Sequence, residues 1–293
     1  MTAPGAPRTA FVLGGGGVLG AVEVGMLQAL LEAGVRPDLV LGTSIGALNG
    51  AFVAQDPHPR MLTRLTDLWR SAATEGREVY GDGPVRTVRR ALATGTHLWS
   101  AGPLRQRLAD ELGAVHLEEL VVPFQVCAAN IERAAEHWFE TGPVVEAVVA
   151  SAAVPGLLPP ARVDGEHYLD GGIVNSIPLG RAVQLGATRV FVLQVGRIDR
   201  PLTPPRRPWE VARVSFEIAR RHRFHRELAE VTDPERPGGA VEVHVLPARG
   251  TSGRDDTIFA TRDFSGVERR IESTYDACRE YLAQHLPDPA GAP

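Results

Sequence analysis

A short apolar run at 38–41 is followed directly by residues 42–46 (Gly-Thr-Ser-Ile-Gly), and this combination is compatible with few local folds. The run at 38–41 is typical of a buried strand, and the small residues from Ile45 onward indicate a helix. A Gly-x-Ser-x-Gly turn between a strand and a helix is a geometry that exposes a nucleophilic serine. In a simpler interpretation, Ser44 only caps the helix N-terminus. The motif alone leaves both interpretations open.

Composition excludes several kinds of chemistry. The chain has 293 residues, 44% of them hydrophobic, and a net charge of −4, which argues against nucleic acid as the main partner. Cys127 and Cys278 lie too far apart in sequence for a metal-ligand motif, so no metal site is expected. The chain contains no lysine, which excludes a Walker A lysine, a Schiff-base lysine and a Ser-Lys catalytic pair.

The pattern along the chain predicts a single domain over residues 9–286, with flexible termini at 1–8 and 287–293. A polar, helix-forming stretch at about 57–120 is interpreted as an insertion that covers one end of the sheet. No run approaches the roughly 18 apolar residues that span a bilayer, and the first residues lack the layout of a signal peptide. The default expectation is therefore a cytoplasmic protein.

A helix predicted over 209–231 carries a dense group of basic and imidazole side chains between Arg220 and Arg226. Such a group fits peripheral contact with the anionic head groups of a membrane. It also fits an ordinary solvated helix face, which is the preferred interpretation.

A second glycine-rich turn, Gly14–Gly20, follows the strand predicted at 9–13 and precedes another helix. Its Gly-x-Gly-x-x-Gly pattern occurs in dinucleotide sites, but these need an acidic residue at the end of the second strand. Asp38 begins that strand instead, which disfavours a nucleotide. Consecutive glycines also present backbone N–H groups that can stabilise an acyl oxyanion. In a parallel sheet this turn and the Ser44 turn would lie at the same edge.

A serine nucleophile needs a base, and two kinds are available. His222, His225 and His244 lie downstream, but each sits within a helical or alternating segment. Asp170 ends a predicted strand, after a hairpin turn at 164–165, and is followed by two glycines that allow a close approach. It could equally be an ordinary turn residue. Spacing alone does not decide between these alternatives.

Three segments taken together resemble the patatin-like phospholipase family. They are the glycine turn Gly14–Gly20 with its helix, the turn Gly42–Asn49, and the stretch from Ser151–Gly156 through Asp170-Gly171-Gly172. They occur in order with compatible spacing, and the likeness covers nearly the whole chain. It is weakest at 60–120 and 201–241.

The resemblance implies an α/β fold: a three-layer α/β/α sandwich around a central, mostly parallel sheet, with the helical insertion as a cap. It also implies a Ser-Asp dyad with Ser44 as nucleophile and Asp170 as base, and no cofactor. The oxyanion hole would be formed by the N–H groups of Gly15, Gly16 and Gly17. The remaining family glycines are Gly20, Gly42, Gly46, Gly171 and Gly172.

Leu19 departs from the family pattern, which usually has arginine or lysine at this position before the last glycine of the turn. The leading hypothesis is a lipid acyl hydrolase that acts on a fatty-acyl ester or phospholipid. The departure motivates an alternative, a non-catalytic lipid-binding or regulatory protein with the same fold. The oligomeric state is left open.

Overall fold

The structure is a computed structural model that describes residues 8–79, 96–196, 198, 201–249 and 266–286. Except for Arg8, the termini predicted to be flexible lie outside these ranges. The strands are β1 (Thr9–Leu13), β2 (Leu39–Thr43), β3 (Phe124–Asn130), β4 (Ala135–Phe139), β5 (Ala161–Val163), β6 (Glu166–Asp170), β7 (Arg189–Leu193) and β8 (Glu242–Val245).

Helices follow most of the strands in the described part of the chain. The α-helices are α1 (Ala21–Glu32), α2 (Ile45–Gln55), α3 (Arg60–Val79), α4 (Gly102–Leu112), α5 (Val144–Ser151), α6 (Gly172–Asn175), α7 (Leu179–Gln184), α8 (Pro208–Val231) and α9 (Val267–His285). Short 3₁₀ turns lie at Gly17–Gly20 and Leu117–Glu119.

The strands form one mixed sheet in the order β5-β6-β3-β2-β1-β7-β8, with β4 also paired to β3. Five adjacent strands, β3, β2, β1, β7 and β8, run parallel to one another. The pairs β3–β4, β3–β6 and β5–β6 are antiparallel. The β5–β6 hairpin turns at Asp164-Gly165, where both residues have positive φ, as the sequence predicted. The prediction of a mostly parallel central sheet is confirmed.

Side chains alternate across the sheet and build a core on each face. Phe11 and Leu13 of β1 face the larger core, formed with α1, α2, α5 and α9. Ala10 and Val12 of the same strand face the second core, formed with α7 and α8. The sheet is therefore flanked by helices on both sides, which confirms the three-layer architecture.

The segment predicted as an insertion contributes α3 and α4. Met61 and Leu65 of α3 and Leu108 of α4 are buried in the larger core. The described helices of this segment thus extend one helix layer. Residues 80–95 lie outside the described part of the chain, and a capping role stays a prediction.

The pairing along β3 brings two strand ends together. β4 occupies one edge of β3 along 126–130, so β2 and β6 must share the other edge. Thr43, the last residue of β2, lies opposite Cys127, and Asp170, the last residue of β6, lies opposite Ala128. The residue that follows β2 is therefore placed beside the end of β6.

Candidate active site

Ser44 follows β2 in a backbone conformation that side chains rarely adopt, with φ 56° and ψ −122°. Its backbone carbonyl accepts the N–H of Ala47 and so begins α2, but its side chain does not cap the helix. The side-chain hydroxyl instead turns away from the helix, toward β6. Strain of this kind costs about 1–3 kcal/mol and is typical of functional positions. The simple helix-cap interpretation is therefore wrong.

The family glycines around Ser44 allow close packing of the turns. An added Cβ would lie within 2.6 Å of a neighbouring atom at Gly20, Gly42, Gly46 and Gly171. The obstacle at Gly46 is the carbonyl of Leu13 at the end of β1, and at Gly171 it is the carbonyl of Cys127 on β3. These atoms belong to the backbone, so alanine at either position would displace a strand of the sheet.

Asp170 accepts a hydrogen bond from the Ser44 hydroxyl, with 2.6 Å between Oγ and Oδ2. Its other oxygen, Oδ1, accepts the N–H of Gly172 at 2.7 Å. Both side chains are buried, and the two residues lie 126 positions apart in sequence. The structure thus brings together the two residues that the sequence singled out as nucleophile and base.

Burial raises the pKa of the Asp170 carboxyl from 3.8 to about 6, because the ionised form loses its hydration. The hydrogen bonds from Ser44 and Gly172 favour the ionised form and limit the rise. A carboxylate with this pKa is a stronger base than an exposed one and is still ionised at neutral pH.

Ser151 connects the nucleophile turn to β3. Its hydroxyl accepts the N–H of Ser44 at 2.7 Å and donates to the carbonyl of Cys127 at 2.5 Å. Its own carbonyl accepts the N–H of Gly171. Sequence reasoning assigned Ser151 no role beyond the resemblance. The available signal was a lone serine near the end of an apolar helix, which is fully buried in the structure.

The glycine turn lies against Ser44, and its N–H groups are not equivalent. An added Cβ at Gly15 would lie 3.3 Å from Cβ of Ser44. The Gly15 N–H, however, donates to the carbonyl of Ser176 at 3.0 Å, so it is not available to an oxyanion. In the described part of the chain, the N–H groups of Gly16 and Gly17 meet no acceptor, and both residues are exposed. Of the three N–H groups predicted to bind an oxyanion, those of Gly16 and Gly17 are therefore the two that lack an acceptor within the described residues, and the oxyanion hole itself stays a prediction.

The alternative candidates lie elsewhere. His244 on β8 contacts Glu242 and Tyr281, and His222 and His225 are exposed on α8. Asp38 accepts the N–H of Thr9 at the start of β1, at the sheet edge opposite to Ser44. Within the described ranges, no group of three or more His, Cys, Asp or Glu side chains is arranged to hold a metal ion.

The basic side chains of α8 do not share one surface. His222, His225 and Arg226 are exposed, as a solvated helix face requires. Arg220 is only 7% exposed, so the preferred interpretation is wrong for this residue. Leu19, at the position where the family usually has a basic residue, packs against the larger core.

Comparison with protein families and with curated proteins finds relatives of this chain. A family model described as patatin-like phospholipase matches residues 11–183. Lysophospholipase nte1 of Aspergillus terreus is 33% identical over 196 residues, which cover 64% of this chain and 12% of the relative. Neuropathy target esterase sws of Drosophila melanogaster is 31% identical over 192 residues, covering 64% of this chain and 13% of the relative.

The solved structure of VipD from Legionella pneumophila aligns with a TM-score of 0.44 and 14% identity, covering 97% of this chain and 68% of that chain. The match to the two curated relatives, by contrast, spans only about an eighth of their length.

Proposed function

Because this chain belongs to the patatin-like phospholipase family, we propose that it is a lipid acyl hydrolase with a Ser44–Asp170 dyad. The observation that carries the proposal is the buried hydrogen bond of 2.6 Å between Ser44 Oγ and Asp170 Oδ2. A hydroxyl that donates to a buried carboxylate with a raised pKa is arranged to lose its proton as it attacks a carbonyl carbon.

The reaction consists of two acyl transfers. Ser44 Oγ forms a bond to the ester carbonyl carbon while its proton moves to Asp170, and the N–H groups of Gly16 and Gly17 stabilise the oxyanion. The alcohol then leaves with the proton from Asp170, and the acyl group stays on Ser44. Water then attacks the acyl carbon while Asp170 takes its proton. The bond from that carbon to Ser44 Oγ breaks, Asp170 returns the proton to Oγ, and the fatty acid is released.

Fatty-acyl esters of phospholipids and lysophospholipids are the proposed substrates. The curated relatives named as lysophospholipases support this class, although the chain matches only a small part of their length. The alternative is a non-catalytic lipid-binding protein in which the same fold holds a lipid without hydrolysis. The two differ in whether Ser44 is reactive.

A fluorophosphonate probe tests this difference, since it labels only an activated serine. We expect labelling at Ser44, and fatty acid release from lysophosphatidylcholine or phosphatidylcholine micelles. Ser44→Ala should abolish both, whereas Ser215→Ala, at an exposed serine on α8, should retain both. An unlabelled Ser44 in a folded protein that still binds these lipids would favour the non-catalytic alternative.

Lipid is proposed to approach past two exposed apolar side chains beside the dyad. Ile173 on α6 is 43% exposed and Phe216 on α8 is 39% exposed. An added Cβ at Gly172, next to Asp170, would lie 2.9 Å from Cζ of Phe216, so this ring borders the site. None of the described helices is both long and apolar enough to cross a membrane. Contact through these side chains would be peripheral.

Vesicle binding tests this approach. Ile173→Ser with Phe216→Ser should weaken co-sedimentation with phosphatidylcholine vesicles at least about tenfold, because each inserted side chain contributes about 1.5–3 kcal/mol. Val121→Ser is the matched control, since Val121 is 69% exposed just before β3, at the opposite edge of the sheet. Equal binding by all three proteins would contradict the proposal.

A further inference from the structure

Arg220 is a buried cation on α8, the same helix on which His222, His225 and Arg226 are exposed. It is 7% exposed, and its guanidinium pairs with Glu217 one turn earlier on α8, with 3.3 Å between Nη1 and Oε1. Removing a charge from water is costly unless the charge is paired and hydrogen-bonded. An ion pair within one helix can form at the surface, so the pair with Glu217 does not explain why Arg220 is buried. The explanation lies in its other hydrogen bonds.

Those contacts join two segments of the chain, one that follows a helix and one that follows a strand of the sheet. Arg220 Nε donates to the hydroxyl of Ser176 at 3.0 Å, and Nη2 donates to the carbonyl of Val195 at 3.0 Å. Ser176 follows α6, and Val195 follows β7. Guanidinium is suited to this arrangement, because its planar fork holds two acceptors in fixed directions.

Ser176 and Val195 also contact the glycine turn directly. The carbonyl of Ser176 accepts the N–H of Gly15 at 3.0 Å. The side chain of Val195 fills the space beside Gly16, where an added Cβ would lie 1.6 Å from its Cγ2. Arg220 therefore hydrogen-bonds to the two residues, Ser176 and Val195, that contact Gly15 and Gly16.

The other end of the glycine turn is held from α2. Asn49 Nδ2 donates to the carbonyl of Gly20 at 3.0 Å and to the buried carboxyl of Glu23 at 2.7 Å. Between these two attachments, Gly16 and Gly17 are exposed, and their N–H groups meet no acceptor among the described residues. Of the two attachments, the one at Gly15, which depends on Ser176, is the one next to Gly16 and Gly17, the residues proposed to bind the oxyanion.

We propose that Arg220 is a positioning residue that holds the glycine turn in its oxyanion-binding geometry through Ser176 and Val195. The inference rests on the proposed hydrolase function. Arg220 makes no contact with Ser44 or Asp170 in the hydrogen bonds of the described residues, so it acts through the turn. Displacing an oxyanion donor by about 1 Å is enough to lower a rate about a hundredfold.

The test compares Arg220→Met and Arg220→Lys with Arg226→Met, a control at an exposed arginine on the same helix. For hydrolysis of a chromogenic acyl ester we expect kcat to fall roughly a hundredfold in Arg220→Met, with KM changed less than about threefold. Arg220→Lys should retain intermediate activity, since an ammonium reaches only one acceptor at a time. Arg226→Met should match the wild type.

Amide hydrogen exchange gives a readout that does not depend on turnover. A peptide covering residues 11–19 contains the Gly15 N–H, whose acceptor is the carbonyl of Ser176. Its exchange should be faster in both Arg220 variants and unchanged in Arg226→Met, while exchange in α1 and α2 stays as in the wild type. If Arg220→Met does not fold, Arg220→Lys alone supplies both measurements.

Normal kcat in Arg220→Met, or normal exchange of this peptide in both Arg220 variants, would overturn the proposal. Equal losses in Arg226→Met would also overturn it, because that residue does not contact Ser176 or Val195. A wild type that hydrolyses no ester contradicts the proposed function instead, and the exchange comparison still decides whether Arg220 holds the turn.

Discussion

Asparagine in place of Asp170 is expected to lower kcat for ester hydrolysis by about 10³–10⁴-fold, near the upper end of what a general base contributes. The amide is nearly isosteric with the carboxyl group, and its oxygen can still accept the N–H of Gly172. It cannot take the proton from Ser44 Oγ, which lies 2.6 Å from Oδ2 in the wild type. Steady-state kinetics at pH 7.5 measures the loss.

Asp164→Asn is the matched control, because it makes the same chemical change in the same hairpin. Asp164 is exposed and has a positive φ in the β5–β6 turn, a conformation that asparagine adopts readily. We expect its kcat to equal that of the wild type. An active Asp170→Asn enzyme would contradict the dyad.

The ionised Asp170 carboxyl should also lower stability, and the sign follows from its pKa. Burial raises this pKa from 3.8 to about 6, so the folded state holds the proton more tightly than the unfolded chain does. Stability from this group is therefore greatest below about pH 4 and is lost as the pH rises through 6, by roughly 3 kcal/mol in total.

Asp170→Asn removes this cost, so its melting temperature at pH 7.5 should exceed that of the wild type by a few degrees. The difference should shrink as the pH falls below 6 and disappear below about pH 3, because the carboxyl is then protonated in both the folded and the unfolded state. In the wild type, kcat/KM should fall about tenfold for each pH unit below 6, because the base must be ionised. An acid limb near pH 4 would show that burial does not raise this pKa.

The family resemblance implied that Ser44 and Asp170 act together, and each of the two residues also carries a local signal. Glycines at fixed distances mark the turn around Ser44, and a hairpin turn followed by two glycines marks Asp170. Neither signal predicts that the two residues meet. Their contact depends on β2 and β6 sharing one edge of β3, which is a property of pairing between distant strands.

The supporting contacts could not be predicted from local patterns. Ser151 binds the N–H of Ser44 across 107 positions, and the Gly15 N–H is taken by Ser176. Arg220 belongs to a basic cluster that predicts a solvated face, yet its acceptors lie 44 and 25 positions away and bury it. Periodicity describes one helix at a time, whereas these contacts depend on how α8 packs against the ends of other elements.

Alanine at Gly16 is expected to lower kcat by about 10²–10³-fold, which is the usual loss when one oxyanion donor is removed. The added Cβ would lie 1.6 Å from Cγ2 and 2.7 Å from Cβ of Val195, so the turn must move. That movement displaces the N–H groups of Gly16 and Gly17 that are proposed to bind the oxyanion. Steady-state kinetics and a thermal melt of the folded variant measure the effect.

Gly14→Ala is the control within the same turn, since its added Cβ would meet no atom closer than 3.4 Å. Its activity should fall far less than that of Gly16→Ala.

Combining Gly16→Ala with Val195→Gly separates steric displacement from a general loss of folding. The glycine at 195 removes all three Val195 atoms that the new Cβ would approach, while the backbone carbonyl that binds Arg220 remains. We therefore expect the double variant to recover at least tenfold in kcat over Gly16→Ala, a coupling of about 1.4 kcal/mol. Additive losses would show that the clash with Val195 is not what displaces the turn. Full activity in Gly16→Ala alone would show that Gly16 does not have to hold its present position for catalysis.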